Sequence, residues 1–231
     1  MEQPAGAVAA ESPRDLREAF GLFARQWSPR ILAGLLLVSL LARGALGAVA
    51  LDELIAAAIV FALWPLLEWL IHVFVLHHRP RRIFGFEWDY AVAEKHRAHH
   101  RDPARLELVL IPLHVYLFTP VTLGLVFWLI APSARVGLTG LCVYFALALH
   151  YEWVHFLVHT HVRPRGRYYQ RLFRNHRLHH FKNEHYWFGV TRLGGDRLLG
   201  TAPDPAQTER SASCRELFSE AEGSAASRSA G

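Results

Sequence analysis

Four apolar stretches dominate the chain, at residues 31–50, 54–76, 108–130 and 136–158. Each approaches or reaches the ~20 residues that a helix needs to cross a bilayer. The expected fold class is therefore an all-α integral membrane protein with about four transmembrane helices. The first stretch is the weakest, since Arg43 interrupts it and its glycines lower helical propensity. It would either span with Arg43 reaching toward the far headgroups or dip in and out with the second stretch. Pro112 and Pro120 predict a kink or a break in the third. The links within each pair are short, Leu51 to Glu53 in one and around Pro132 in the other, so two helical hairpins are the natural arrangement.

Composition supports the same class. Apolar residues make up 52% of the chain and charged residues 19%, against roughly 25% charged in a soluble domain. So apolar a polymer offsets its ordering entropy by burial, which excludes disorder for most of its length. Cys142 in an apolar run and Cys214 in a polar tail read as a core thiol and a free one, not a disulfide scaffold. The positive charge is one-sided. Four Arg precede the first stretch, seven Lys/Arg fall from Arg79 to Arg105, seven from Arg163 to Lys182, and five lie beyond. Only Arg43 and Arg135 are left for the other side, which predicts a multi-pass protein with both termini and the His-bearing segments cytoplasmic. The basic balance thus reads as topology and attraction to anionic headgroups, and no nucleic-acid-binding module is visible. Residues 1–29 form a polar to amphipathic lead-in without a secretory signal, and residues 30–200 the membrane-embedded domain. Residues 201–231, rich in Ser, Ala and Glu, are expected to form a disordered tail.

All fifteen histidines lie between positions 72 and 185, and ten of them form four clusters. His72 and His77 end the second stretch, and His96, His99 and His100 follow as H-R-A-H-H. His155 and His159 end the fourth, and His176, His179 and His180 follow as H-R-L-H-H. Each half reads as a membrane helix ending in two His, a basic connector and a three-His cluster. Offsets of three and four place side chains on one helical face, so each triplet is expected to aim its imidazoles at a common point. One triplet plus two helix-end histidines supplies five nitrogens. The two halves supply ten, suited to two metal ions of five or six coordination. A proton-relay or pH-sensing array is the alternative.

Glu68 precedes His72, and Glu152 precedes His155, by about one turn. A carboxylate in apolar surroundings needs a partner. It would either orient the neighbouring imidazole and set its tautomer or pair with an arginine. A structural zinc site closes on four ligands, usually with Cys. Ten His and no usable Cys instead suit iron, copper, nickel or zinc in a dinuclear site. A redox-active pair at the membrane boundary can bind dioxygen and attack an apolar chain that rests in the bilayer.

These residues resemble the fatty acid hydroxylase / sterol desaturase superfamily of membrane histidine-rich di-iron oxygenases. The matching pieces are E-W-L-I-H-V-F-V-L-H from Glu68, H-R-A-H-H from His96, H-F-L-V-H from His155, H-R-L-H-H from His176, and F-G-V-T-R-L-G-G-D-R-L-L-G-T from Phe188 to Thr201. The order HX4H, HX2HH, HX3H, HX2HH is most similar to the branch that includes fatty acid 2-hydroxylases, over roughly residues 54–201. The resemblance implies a helical membrane fold whose cytoplasmic histidine-rich helical cap holds the dinuclear site. It also implies two irons, O2 as co-substrate, and an external electron donor, either a b-type cytochrome or a ferredoxin with its reductase. Some relatives carry a fused cytochrome domain. Residues 1–29 are too short for one, so a separate electron-transfer protein is expected. His150 lies five before His155, an alternative HX4H similar to carotenoid hydroxylases, although their first two His clusters lie closer than the 19 residues from His77 to His96.

The expected function is hydroxylation of a lipid acyl chain. Its alternatives are a carotenoid or sterol-type hydroxylase or desaturase with the same metal site, and a metal transporter or sensor. His185, beside Asn183 and Trp187, is a candidate for an outer-shell or substrate-gate role. His78, His114, His150 and His161 read as interfacial or packing residues, and Asp196 as a cap for the next helical turn. Trp64, Trp69, Trp153 and Trp187 read as interface anchors, some of them lining an acyl tunnel.

Overall fold

Ser133, after Pro132, starts the 25-residue helix α7 (Ala134–Val158), and its hydroxyl accepts the Val136 amide. The computed structural model describes residues 12–214, and within them α7 is the central strut. It packs against α2 (Trp27–Gly44), α3 (Leu51–Leu70) and α6 (Thr119–Ile130). Leu32, Trp64, Phe145 and Ala148 form one core between α2, α3 and α7. A second core joins α7 to α1 (Leu16–Phe23) and α8 (Arg167–Phe181) through Phe23, Val154, Phe156, Leu172 and Phe173. Asp15 caps α1 by accepting the Glu18 amide at 2.8 Å, which holds Phe23 edge-on to Trp153.

Among the described residues, two helices are long and apolar enough to cross a membrane: Leu51–Leu76, in which α3 runs on into a π-helical turn, and Ala134–Val158. A third candidate, Leu106–Leu117 with Thr119–Ile130, is bent by 61°. It comprises a short helix α5 (Leu106–Val109), a 3₁₀ turn (Leu113–Leu117) and α6, so the break falls where Pro112 and Pro120 predict it. The first apolar stretch folds as α2, shifted from 31–50 to Trp27–Gly44, because the chain turns at Gly47, with φ +92°, to enter α3. Large apolar side chains on α2, α3 and α6, among them Leu41, Ile59 and Leu129, face outward, far more than a soluble monomer exposes in one region.

Arg43 does not reach outward. It is 6% exposed, and its guanidinium pairs with Glu53 and donates to the carbonyls of Gly47 and Ala48 at 2.9 and 3.0 Å. Glu53 also accepts the Thr139 hydroxyl of α7 at 2.7 Å. One ion pair thus fastens the α2–α3 turn to α7 and supplies the partner that a charge in apolar surroundings requires.

The all-α expectation fails at one place. Strands β1 (Arg81–Ile83) and β2 (Phe86–Trp88) form an antiparallel hairpin before α4 (Ala91–Arg101). Within the segment read as a polar tail, residues 201–214 return along the end of α8: Lys182 donates to the Pro205 carbonyl, and the Ser211 amide to the Lys182 carbonyl. Cys214, read as a free tail thiol, is 1% exposed there, and Cys142 is buried in α7. Residues 215–231 lie outside the described residues.

The short helix α9 (Gly194–Leu198) lies flat on α3. A Cβ at Gly195 would stand 2.5 Å from the Pro65 carbonyl oxygen and 2.6 Å from the Trp69 Cβ. Gly195→Ala is therefore expected to push α9 off α3 at a cost of about 1–3 kcal/mol. Thermal unfolding of the variant in detergent, beside the wild type, measures this.

Candidate metal centre

His72 and His77 are five residues apart, an offset that turns about 140° on an α-helix. The π-helical turn Ile71–Leu76 removes that mismatch: the His77 amide donates to the His72 carbonyl at 3.0 Å, and both imidazoles face one point. His155 and His159 are four apart and need no such device; α7 runs straight to Val158, and His159 caps it. The triplets ride on α4 and α8.

Ten imidazoles converge in two groups of five. Within each, one ring nitrogen per residue lies within 4.8 Å of the others. The first group is His72, His77, His96, His100 and His179; the second is His99, His155, His159, His176 and His180. This corrects the half-by-half grouping, because His99 and His179 have changed places. Helical geometry gives the reason. Residues at i and i+4 share a face, as His96 with His100 and His176 with His180, whereas adjacent residues diverge by about 100°. His99 therefore points away from His100 and joins the histidines of α7 and α8, and His179 crosses to those of α3 and α4. His100 and His180 stack at 4.2 Å between ring centroids, so the two groups are neighbours.

The hydrogen-bond accounting of these rings fits cations and little else. His96 Nε2 lies 3.2 Å from the Nε2 atoms of His72 and His77 and 3.1 Å from that of His100. A neutral imidazole nitrogen carries one proton at most, so the remaining contacts set lone pair against lone pair. His72 and His179 use Nδ1 for the carbonyls of Phe188 and Tyr186, at 2.6 and 2.8 Å, which leaves Nε2 as a bare acceptor. In the second group both nitrogens of His99, Nε2 of His155 and Nδ1 of His176 and His180 are buried without a partner. Burial holds the rings neutral. It pushes His159 down to about 3 and His179 to about 4, and the imidazoles of His77, His96, His99, His100, His176 and His180 also fall well below their usual range. Neutral, converging, unpartnered nitrogens are the donor set of a transition-metal site.

The acids act at one remove. Glu68, buried on α3, accepts the amides of Val190 and Thr191, the latter at 2.7 Å, and the Thr191 hydroxyl at 2.6 Å. Asp196, expected as a helix cap, instead accepts the amides of Phe188 and Gly189 at 2.9 and 2.7 Å and the Thr201 hydroxyl at 2.7 Å. Both carboxylates thus clamp the loop whose Phe188 carbonyl orients His72. Trp64 and Trp69, read as interface anchors, donate to Thr191 and Thr201 and reinforce the same clamp; Trp187 is buried, and Trp153 packs on Phe20 and Phe23. Glu152 binds no imidazole either; it accepts the Ser28 hydroxyl and the Ile111 amide at 2.7 and 2.9 Å, tying α2 and the segment before α6 to α7. Neither acid meets an arginine, because backbone amides and hydroxyls already fill its oxygens.

Two cavities reach the imidazoles, one more apolar than the other. An apolar one of about 280 Å³ is walled by α2, α3, α7 and the bent segment, and touches His96 of the first group and His155 of the second. A second and more polar one of about 550 Å³ meets His77, His96, His100 and His180 and is rimmed by Arg79, Arg97 and Arg101. His185, 54% exposed at its side chain, stands at this rim 3.6 Å from Glu184 and touches neither group directly.

Residues 57–201 match the model of the fatty acid hydroxylase family. The chain belongs to that family. Two Arabidopsis thaliana proteins named dihydroceramide fatty acyl 2-hydroxylase are similar, FAH2 at 26% identity over 141 residues and FAH1 at 28% over 145. Each match covers 61% of this chain and 57% of the relative, so the chain spans little more than half of their length. The solved hydroxylase domain of full-length scs7p shares the fold, with a TM-score of 0.63 at 19% identity over 85% of this chain and 73% of that one.

The matched span of the hydroxylase family contains every member of both five-histidine groups, together with Glu68, Glu152 and Asp196. His78, His114, His150, His161 and His185 join neither group. What the residue pattern alone did not reveal are the backbone carbonyls of Phe188 and Tyr186, since any residue type offers one. The only signal was the G-G-D segment, which carries the clamp. Asp196→Ala leaves two amides and a hydroxyl without their acceptor, at about 1–3 kcal/mol for each donor left buried. It is expected to weaken metal uptake by the first group roughly 10–100-fold while the second keeps its ion, as read by metal titration of chelator-stripped protein.

Proposed function

We propose that this chain is a membrane di-iron hydroxylase that inserts one oxygen atom into a lipid acyl chain, using O2 and two electrons from a separate donor protein. The observation that carries the reading is the apolar cavity whose wall includes one imidazole from each five-nitrogen group, His96 and His155. His72, His77, His96, His100 and His179 would hold one iron, and His99, His155, His159, His176 and His180 the other. An iron pair supplies the activation of dioxygen that C–H hydroxylation needs; overall, R–H, O2, two electrons and two protons give R–OH and water. The chain's own residues do the rest. Leu32, Phe145 and Ala148 bind an alkyl chain and exclude water from it, so that substrate position selects the carbon. The clamp on the Phe188 loop and the carbonyls of Phe188 and Tyr186 hold His72 and His179 in the tautomer that presents Nε2.

A fatty-acyl substrate is supported by the names of the similar proteins, both fatty acyl 2-hydroxylases. The same proposal places four helices in the membrane as two hairpins, with residues 30–200 as the embedded domain and residues 1–29 as its lead-in. The one-sided distribution of Lys and Arg supports a cytoplasmic metal centre and cytoplasmic termini. The basic rim of the polar cavity, Arg79, Arg97 and Arg101, suits the approach of an acidic donor.

Mass spectrometry of lipids from expressing cells should show acyl chains gaining one oxygen. His99→Ala and His179→Ala should each abolish that product and lower iron below two per chain while protein still accumulates in the membrane. Oxygen gained on isoprenoid lipids would move the assignment to ring lipids, and full activity in both variants would sink the metal assignment. Ala148→Phe tests the cavity separately: turnover of long chains falls at least tenfold, with iron content unchanged.

A further inference from the structure

Among the described residues, no other element packs substantially against the β1–β2 hairpin. Its register pairs Arg81 with Trp88, Arg82 with Glu87 and Ile83 with Phe86. Directly opposed residues share a face, so Ile83, Phe86 and Trp88 lie on one side, with Arg81 beside Trp88 at its base, and the Arg82–Glu87 pair lies on the other. The turn is Phe84–Gly85, both with positive φ, at 51° and 85°. Every strand residue is exposed; Phe84 is 97% exposed and Phe86 80%. A two-stranded hairpin alone in water is marginal at best, and an aromatic tip with an apolar face is a costly surface to leave wet.

Its tether limits what can cover it. The helix Leu51–Leu76 has 26 residues, about 39 Å of α-helix, against about 30 Å of hydrocarbon. If one end lies at the far boundary, the other stands in the near headgroup layer. From Leu76 to Arg81 the chain reaches at most about 18 Å. Arg79, Arg81 and Arg82 crowd this tether against Glu87 alone on the strands, which favours an anionic surface. The base is fixed: Arg97 of α4 pairs with Asp89 and donates to the His78 carbonyl at 2.7 Å. Leu76 and Val92, just outside the hairpin on either side, both line the apolar cavity.

We propose that the hairpin is an interfacial anchor, seating Phe84, Phe86 and Trp88 in the headgroup–acyl boundary of the leaflet nearest the histidines, beside the cavity wall. The anchor would hold α4 and its three histidines at a fixed depth and bring the cavity wall to the level of lipid chains. This rests on the reading of Leu51–Leu76 as a membrane span, which the test checks apart.

Nitroxide labels on Phe84→Cys, Glu87→Cys and Ile59→Cys, in nanodiscs of phosphatidylcholine with phosphatidylglycerol, read lipid against water by collision with oxygen or a water-soluble nickel chelate. Wild-type protein treated alike gives the background from Cys142 and Cys214. The expected result is oxygen-dominated collision at 59 and 84 and chelate-dominated collision at 87. Oxygen dominance at 59 with chelate dominance at 84 overturns the anchor and spares the span; chelate dominance at 59 overturns both. A label at 84 shielded from both reagents means that protein, a second copy of the chain, covers the tip, and also overturns it. Replacing phosphatidylglycerol with phosphatidylcholine should shift position 84 toward the chelate, the sign of a contact aided by the arginines.

Discussion

Ten imidazoles that cannot satisfy one another are the constraint on which this structure turns. A buried neutral imidazole has one donor and one acceptor, and five acceptors pointed at a common centre have no internal solution. Every local irregularity near the centre serves that convergence. The π-helical turn aligns a five-residue spacing, His159 ends α7 at the point where its ring must enter, and α4 and α8 lie across the ends of α3 and α7. Exchange of His99 and His179 between groups follows from the divergence of adjacent helical residues, and it has a mechanical consequence. Neither group can form from one half of the chain, so α4 and α8 must dock together before either is complete.

The second consequence is asymmetry. Two rings of the first group, His72 and His179, are oriented through the loop from Tyr186 to Thr191, which Glu68, Asp196, Trp64 and Trp69 hold against α3. The second group includes His99, with no hydrogen-bond partner at either nitrogen, and His155, His176 and His180 with one orphan each. The second group is braced only in part: His155 and His159 donate to the backbone at Val109 and Pro103, whereas His99 has no such brace. Buried carboxylates that look like imidazole partners in the sequence are spent on backbone amides instead, because a tight loop carries donors that nothing else can reach.

Much of this was legible in the residues. The identity of all ten converging histidines, the break at Pro112 and Pro120 and the helical character of the domain follow from spacing, because i, i+4 periodicity and proline chemistry are local. What escaped was relational. Which triplet member faces which centre depends on how α4 lies against α8, a tertiary fact. Arg43 was open to a snorkelling reading only because Glu53 and Thr139, ten and ninety-six residues away, are not visible as partners in a linear chain. The hairpin at Arg81–Trp88 was hidden inside a basic connector, since two three-residue strands carry too short an alternation to register.

Arg43 and the histidines together also measure the proposed span. Glu53 and His72 mark the polar ends of α3 and lie nineteen residues apart, about 29 Å of helix. That is close to the ~30 Å of a bilayer's hydrocarbon layer. At one end the carboxylate is neutralised by Arg43 and tied to Thr139 of α7; at the other, His72 and His155 bring α3 and α7 into adjoining five-histidine groups. Between them Leu54, Ile55, Ile59 and Leu63 of α3 face outward and no charge interrupts the helix until Glu68, which is buried on the loop side. A soluble helix pair would have no reason to space its polar fasteners by the thickness of a membrane. The spacing therefore supports a bundle whose far end is closed by an ion pair and whose near end is closed by the converging histidines, with the apolar cavity beside them.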